Sequence, residues 1–281
     1  MIWGIAKSAT LAAAAAGTAL PALAEGDAAR GAYLVEAVMA CGNCHSPMGP
    51  EGPVEGQALS GRLVEDSEEF TAIAPNITPA GRIAGWSDAE LARAIREGIR
   101  PDGSVIGPPM PFMTYRSISD DDLAAIVAHL RTVPAVENDP GQSTYRIPLP
   151  PAYGPPVETV SAPAPGPNAV WGEYVVALAH CMECHSPLTP EGPDFGEGFA
   201  RGGFAFHGPW GVSVSANLTD HPDGLADRTD AEIRKMITQG VRPDGEAMLP
   251  PMPYGYFAGM TDEDLTAVVA YLRTIPGKPD L

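Results

Sequence analysis

Cys41-Gly-Asn-Cys-His45 and Cys181-Met-Glu-Cys-His185 stand 140 positions apart and share one grammar. Cys-x-x-Cys-His is the pattern of covalent c-type haem attachment. Its two thiols form thioethers with the porphyrin vinyl groups, and the adjacent His becomes the proximal iron ligand. Two copies imply two covalently attached haem c groups, one held by Cys41, Cys44 and His45, the other by Cys181, Cys184 and His185. A thioredoxin-like dithiol has no need of a His after its second Cys, and no βαβ pattern surrounds either copy. A zinc site would need further ligands at short spacing, and none follow.

The surroundings of the motifs repeat as well. Gly31-Ala-Tyr33 and Gly172-Glu-Tyr174 precede them, and Ser-Pro-x-x-Pro-Glu-Gly-Pro follows each His. Asn76-Ile-Thr78 answers Asn217-Leu-Thr219, and Pro108-Pro-Met110-Pro111 answers Pro250-Pro-Met252-Pro253. The last shared stretches begin at Asp122-Leu and Asp264-Leu and run to Pro134 and Pro276, the offset drifting only from 140 to 142. Two homologous modules in tandem are the reading, at residues 25–133 and 169–281. Residues 134–168 hold ten prolines and no apolar periodicity, so a semi-rigid extended linker over the module surfaces is expected, rather than a folded element.

Within each module the periodicity is helical. Residues 30–40 and 171–180 carry apolar residues three and four apart and run into the Cys motif. Ser87-Asp-Ala-Glu90 and Thr229-Asp-Ala-Glu232 are capping boxes for second helices reaching Gly98 and Gly240. Ser119 and Thr261 cap the last helices, whose apolar stripes end at Pro134 and Pro276. The expected fold is all-α, each module being a few helices wrapped around one haem.

The second axial ligand decides whether the iron carries electrons or binds substrate. Of ten Met, only Met110 and Met252 recur at matching places outside the motifs, 65 and 67 residues beyond His45 and His185. Their flanking prolines exclude helix and suggest an extended backbone. The expected iron ligands are therefore His45 with Met110, and His185 with Met252. Met113 and Met248 are the alternatives, and His207 or His221 could replace Met252. His129 aligns with Tyr271 on the last helix and reads as a packing or surface residue.

Net charge is −18, spread over both modules. Such a field opposes nucleic acid and anionic membrane surfaces and favours partners with a basic patch. The run Glu65-Asp66-Ser67-Glu68-Glu69 reads as a solvated loop. Lys7, the apolar run from Ala9 to Leu23 and Ala22-Leu23-Ala24 have the layout of a secretory signal peptide, so residues 1–24 are expected to be cleaved after Ala24 on export to the periplasm. No later segment is long and apolar enough to span a bilayer, so no transmembrane anchor is expected once the leader is cleaved.

The order Cys-x-x-Cys-His, Asn-Ile-Thr, Gly-Trp-Ser-Asp-x-Glu, Met-Pro and Asp-Leu-x-Ala-Ile resembles class I c-type cytochrome domains. In particular it resembles those in the multihaem cytochrome subunits of periplasmic alcohol, aldehyde and gluconate dehydrogenases. The resemblance covers residues 30–133 and 169–276 and implies two tandem cytochrome c domains with low-spin His/Met iron. It also implies that Asn76 and Trp86 lie near the first haem's edge or propionates. Trp86 aligns with Arg228, so the two haem environments should differ. That family typically carries three haems and often a C-terminal membrane helix, whereas two haems and no anchor are expected here. The implied function is electron transfer from a dehydrogenase to a downstream carrier or oxidase, not catalysis. The competing class is a dihaem redox enzyme of peroxidase or thiosulfate-oxidising type, which would need an open axial position and acid–base residues beside it.

Overall fold

The computed structural model describes residues 25–49, 52–190 and 192–281, so the leader expected at 1–24 lies outside the described residues. The first module opens where the Asp27 side chain accepts from the N–H groups of Ala29 and Arg30 and starts α1 (Ala28–Tyr33). The helix widens into a π-helical turn, Leu34–Val38, closed by Met39 N–H on Leu34 O at 2.7 Å. Ala40, left-handed at φ 49°, then redirects the chain into α2 (Cys41–His45). Short strands β1 (Met48–Gly49) and β2 (Gly52–Pro53) follow, then a longer antiparallel hairpin of β3 (Arg62–Asp66) and β4 (Phe70–Ala74).

Ser87 and Glu90 form the capping box that starts α3 (Asp88–Glu97), which ends at left-handed Gly98. After the Met110 loop come α4 (Phe112–Tyr115) and α5 (Asp120–Thr132), the latter capped by Ser119. Helices α1 and α5 cross so closely at Gly31 that a Cβ there would lie 1.9 Å from Ala125 O.

Strand β5 (Thr144–Tyr145) intervenes, and the second module then repeats the plan. Asn168 caps α6 (Ala169–Leu178), and His180 at φ 44° makes the bend into α7 (Cys181–His185). Strands β6 (Leu188–Thr189), β7 (Gly192–Pro193), β8 (Ala205–Gly208) and β9 (Gly211–Val214) follow. Helices α8 (Asp230–Gln239), α9 (Tyr254–Phe257) and α10 (Asp262–Leu272) complete it. A left-handed non-glycine residue costs roughly 1–2 kcal/mol. Its recurrence at Ala40 and His180 shows that each module needs this bend to aim its motif helix.

Three expectations need correction. The fold is not purely all-α: each module inserts hairpins between its motif helix and its next helix. The physical reason is a return path, because the chain must come back to the motif, with Gly61 N–H on His45 O at 2.6 Å and Gly202 N–H on His185 O at 2.8 Å. Residues 65–69, read as a solvated loop, are exposed or half-exposed, but Glu65 and Asp66 belong to β3. Nor is 134–168 wholly without folded elements. Its Thr144 and Tyr145 form β5, which pairs with β4 as the third strand of the first hairpin's sheet. Tyr145 and Tyr153 then donate to Pro108 O and Ile106 O, bracing the Met110 loop.

The two modules share one hydrophobic core, running from Leu34 and Ile126 on one side to Val175 and Val268 on the other. Their interface is reciprocal. Tyr174 of α6 donates to Asp122 Oδ2 at 2.7 Å and accepts from Ser119 N–H at 3.1 Å, at the start of α5. Tyr33 of α1 does the same at the start of α10, donating to Asp264 and accepting from Thr261 N–H. Each buried Asp also holds a donor from its own module. Arg30 forks onto Asp122 at 2.9 and 3.0 Å, and Trp171 Nε1 donates to Asp264 at 2.5 Å. Buried carboxylates this well supplied with donors fix geometry as well as adding stability.

Candidate haem sites

The left-handed bends deliver each Cys-x-x-Cys-His as a short helix whose last residue is the His. His45 Nδ1 lies 2.8 Å from Pro75 O, and His185 Nδ1 lies 2.7 Å from Ala216 O. A carbonyl can only accept, so each Nδ1 carries the proton and each Nε2 keeps its lone pair, the arrangement that ligates a metal. The Ser after each His ties the returning loop: Ser46 Oγ accepts from Leu59 N–H at 2.9 Å and Ser186 Oγ from Ala200 N–H at 3.2 Å.

All four cysteines are free. Burial pushes the Cys41, Cys181 and Cys184 thiols up to about 12 and raises Cys44 as well. Thiols held protonated in this way are poor redox dithiols and poor thiolate ligands. Among the described residues, no group of three or more His, Cys, Asp and Glu could hold a metal ion.

Met110 and Met252 are both half-buried against the shared core. Each sits at a bend rather than in the extended backbone expected, just after a turn that contains a cis Pro–Pro bond. Met113 is 53% exposed and points away from that core. His221 is tied into a local turn, accepting from Asp223 N–H, and His207 lies on β8. His129 is buried on α5, 3.5 Å from Glu36.

The two motifs are neighbours across the interface. Tyr256, four residues after Met252, covers Gly42 inside the first motif, where an added Cβ would lie 2.5 Å from the Tyr256 hydroxyl. Tyr115, five residues after Met110, sets its ring edge-on to that of His180, with centroids 6.1 Å apart. Cys184 is raised by burial first, then by Glu183, Cys181 and, from the other module, Cys44. Burial also pushes the Glu183 carboxyl up to about 7, and its Oε1 has no hydrogen-bond partner among the described residues. Each module thus sends the segment after its recurrent Met onto the other module's Cys motif.

Sequence reasoning did not single out Tyr115, Tyr256 or Glu183. Tyr115 and Tyr256 align with Phe257 and Thr114, so the repeat carries no signal for them. Asn76 is buried beside Pro75, whose carbonyl holds His45. Its amide donates to Val136 O and Asn138 O while its Oδ1 accepts from Thr78, tying the start of residues 134–168 to the module. Asn217 does the same with Lys278 and Thr219. Trp86 packs against the core and Arg228 is exposed, an asymmetry visible in the sequence.

The donor set fits a covalently bound c-type haem: protonated free thiols next to an imidazole whose Nδ1–H is already engaged, with apolar walls around both motifs. Comparison with known proteins agrees. Residues 26–130 match the family model described as cytochrome c oxidase, cbb3-type, subunit III, and residues 170–276 match that of cytochrome c. The chain is 28% identical over 280 residues to a fructose dehydrogenase cytochrome subunit of Gluconobacter japonicus, covering 89% of this chain and 53% of that protein. It is 30% identical over 301 residues to an alcohol dehydrogenase (quinone) cytochrome c subunit of Gluconacetobacter polyoxogenes, covering 94% and 60%. A diheme cytochrome c-type protein of Cereibacter sphaeroides is 29% identical over 267 residues, covering 89% and 86%. The chain spans between half and two thirds of the length of the two dehydrogenase subunits. With one family model on each half, the chain belongs to the c-type cytochromes, as a tandem of two cytochrome c domains carrying two covalently bound haem c groups.

Proposed function

We propose that the chain is a dihaem electron carrier, taking single electrons from a dehydrogenase and passing them to a downstream carrier or oxidase. The observation that carries this reading is the meeting of the two Cys-x-x-Cys-His motifs across a reciprocal, buried interface. When bound, haem c supplies reversible one-electron iron chemistry. Cys41 and Cys44, like Cys181 and Cys184, fix the group covalently. His45 with Met110, and His185 with Met252, are the residues that would hold the two irons, and a ligand set of this kind would supply electron transfer rather than substrate binding. Pro75 O and Ala216 O accept from the Nδ1–H groups and hold the two imidazoles in orientation. The shared core packs against Cys41 and Cys181 and buries His45.

Residues 25–133 and 169–281 are the two functional units, with 134–168 joining them. Electron transfer of this kind belongs in the periplasm, since c-type haem is attached outside the bacterial cytoplasm and residues 1–24 have the layout of a leader. The relatives' printed roles support a dehydrogenase as donor. Trp86 against Arg228, and a Met110 loop braced by Tyr145 and Tyr153, give the two centres different surroundings and hence different potentials. Spectropotentiometric titration of the haem-loaded protein tests this. Two separate one-electron steps with low-spin iron are expected, while peroxide turnover or a high-spin ferric signal would establish an enzyme instead.

A further inference from the structure

The two motifs differ in the charge placed on them. Gly61 and Gly202 are equivalent, each with its N–H on the carbonyl of its motif's His, so the next residues, Arg62 and Gly203, also correspond. Arg62 turns back onto the first motif, where its Nη2 donates to Asn43 O at 2.8 Å. From there its charge reaches the side chains of Cys44 and His45 and, across the interface, Tyr256. Gly203 has no side chain that could do the same for the second motif.

The Arg62 charge is not neutralised. Among the described residues the guanidinium donates only to carbonyls, Asn43 O and Leu63 O, and its Nε is buried without a partner. The chain holds 35 Asp and Glu against 17 Lys and Arg, so a carboxylate partner would be the ordinary arrangement. A half-sheltered cation without one costs free energy and acts strongly on its neighbours. Reducing a ferric haem removes one unit of positive charge, so a fixed cation beside it favours the reduced state. In the second motif Glu183 stands where the first has Asn43, and with or without its proton it adds no positive charge. His45 is 7% exposed and His185 is more open, and burial also disfavours the extra charge of the ferric state. Both differences act in one direction.

We propose that Arg62 makes the haem held by Cys41, Cys44 and His45 the more easily reduced of the two, so that a single electron given to the chain resides in the first module. The donor loses that electron and one iron goes from ferric to ferrous, with no bond made or broken. A downstream acceptor would then collect from the first module. The proposal rests on the electron-carrier reading and adds an order to it.

The test begins with haem-loaded protein reduced by one electron equivalent per chain and followed by backbone amide chemical shifts. Amides of residues 41–46 are expected at their fully reduced, diamagnetic positions, while those of 181–186 keep their paramagnetic shifts. The reverse pattern, or equal sharing, would overturn the proposal. Potentiometric titration of variants then assigns the cause. Arg62→Gln should lower the equilibrium constant of the higher-potential step by about fivefold or more and leave the lower one within about twofold. Arg62→Lys keeps the charge and should restore most of the loss. A higher step unmoved by Arg62→Gln, or an equal loss in Arg62→Lys, would overturn the proposal too. The carrier reading fails on different signals, peroxide turnover or high-spin ferric iron, so the two failures are distinguishable.

Discussion

Tyr174→Phe removes one oxygen from the buried interface and leaves the ring in place. The hydroxyl donates to Asp122 Oδ2 at 2.7 Å and accepts from Ser119 N–H at 3.1 Å, and Ser119 is only 2% exposed. A hydrogen bond to a charged group contributes about 1.5–3 kcal/mol, and a buried N–H left without a partner costs about 1–3 kcal/mol. The two losses share one site and do not add fully, so about 3 kcal/mol is expected. Tyr33→Phe is the internal control. It loses the equivalent bond to Asp264, but the Thr261 N–H it releases is exposed and water replaces it, so about 1–2 kcal/mol is expected. The assay is urea unfolding of the haem-loaded variants by far-ultraviolet circular dichroism, reading the shift in midpoint at constant slope. Equal costs for the two variants, or a Tyr174→Phe cost under about 0.5 kcal/mol, would refute the claim that the reciprocal tyrosines bind the modules together.

Gly31→Ala and Gly172→Ala should each destabilise the holoprotein by about 3 kcal/mol or more, because the new Cβ would lie 1.9 Å from a backbone carbonyl, Ala125 O or Ala267 O, that cannot step aside. Melting temperatures check this, and an unchanged value would show that the helices do not cross so closely. His180 supplies a pH dependence. Burial first, offset by its bond to the Met39 backbone, lowers its pKa to about 4, against 6.5 for the free side chain. The unfolded chain therefore binds more protons between those values, and stability falls as pH drops from about 6.5 to about 4, by on the order of 3 kcal/mol. His180→Ala, which copies Ala40 at the same left-handed position, should flatten that part of the stability–pH curve. An unaltered curve would place the His180 ring in water.

Much of this architecture is legible because it is written twice. The Cys motifs, both capping boxes and the last-helix caps recur at a nearly constant offset, and each cap is a local event that a few residues determine. The recurrent Met residues could be singled out on the same ground. The hairpins were less visible, since Arg62–Asp66 and Ala205–Gly208 are short, only partly alternating and lie between Gly-rich turns. The interface was half-written: Tyr33, Tyr174, Asp122 and Asp264 stand inside the repeated words, but nothing local says that each Tyr reaches the other module's Asp. Contacts between residues 52 and 231 positions apart depend on how whole modules pack. Tyr115 and Tyr256 break the repeat, because pseudo-symmetric surfaces need not use matching residues to cover the two motifs.

The measurement that bears most directly on two histidine–methionine electron-carrying centres is near-infrared magnetic circular dichroism of the oxidised, haem-loaded protein and its Met110→Ala and Met252→Ala variants. Two methionine-to-iron charge-transfer contributions are expected in the parent, and each variant should lose one and keep the other. Survival of both contributions in either variant, or their absence from the parent, would contradict the account.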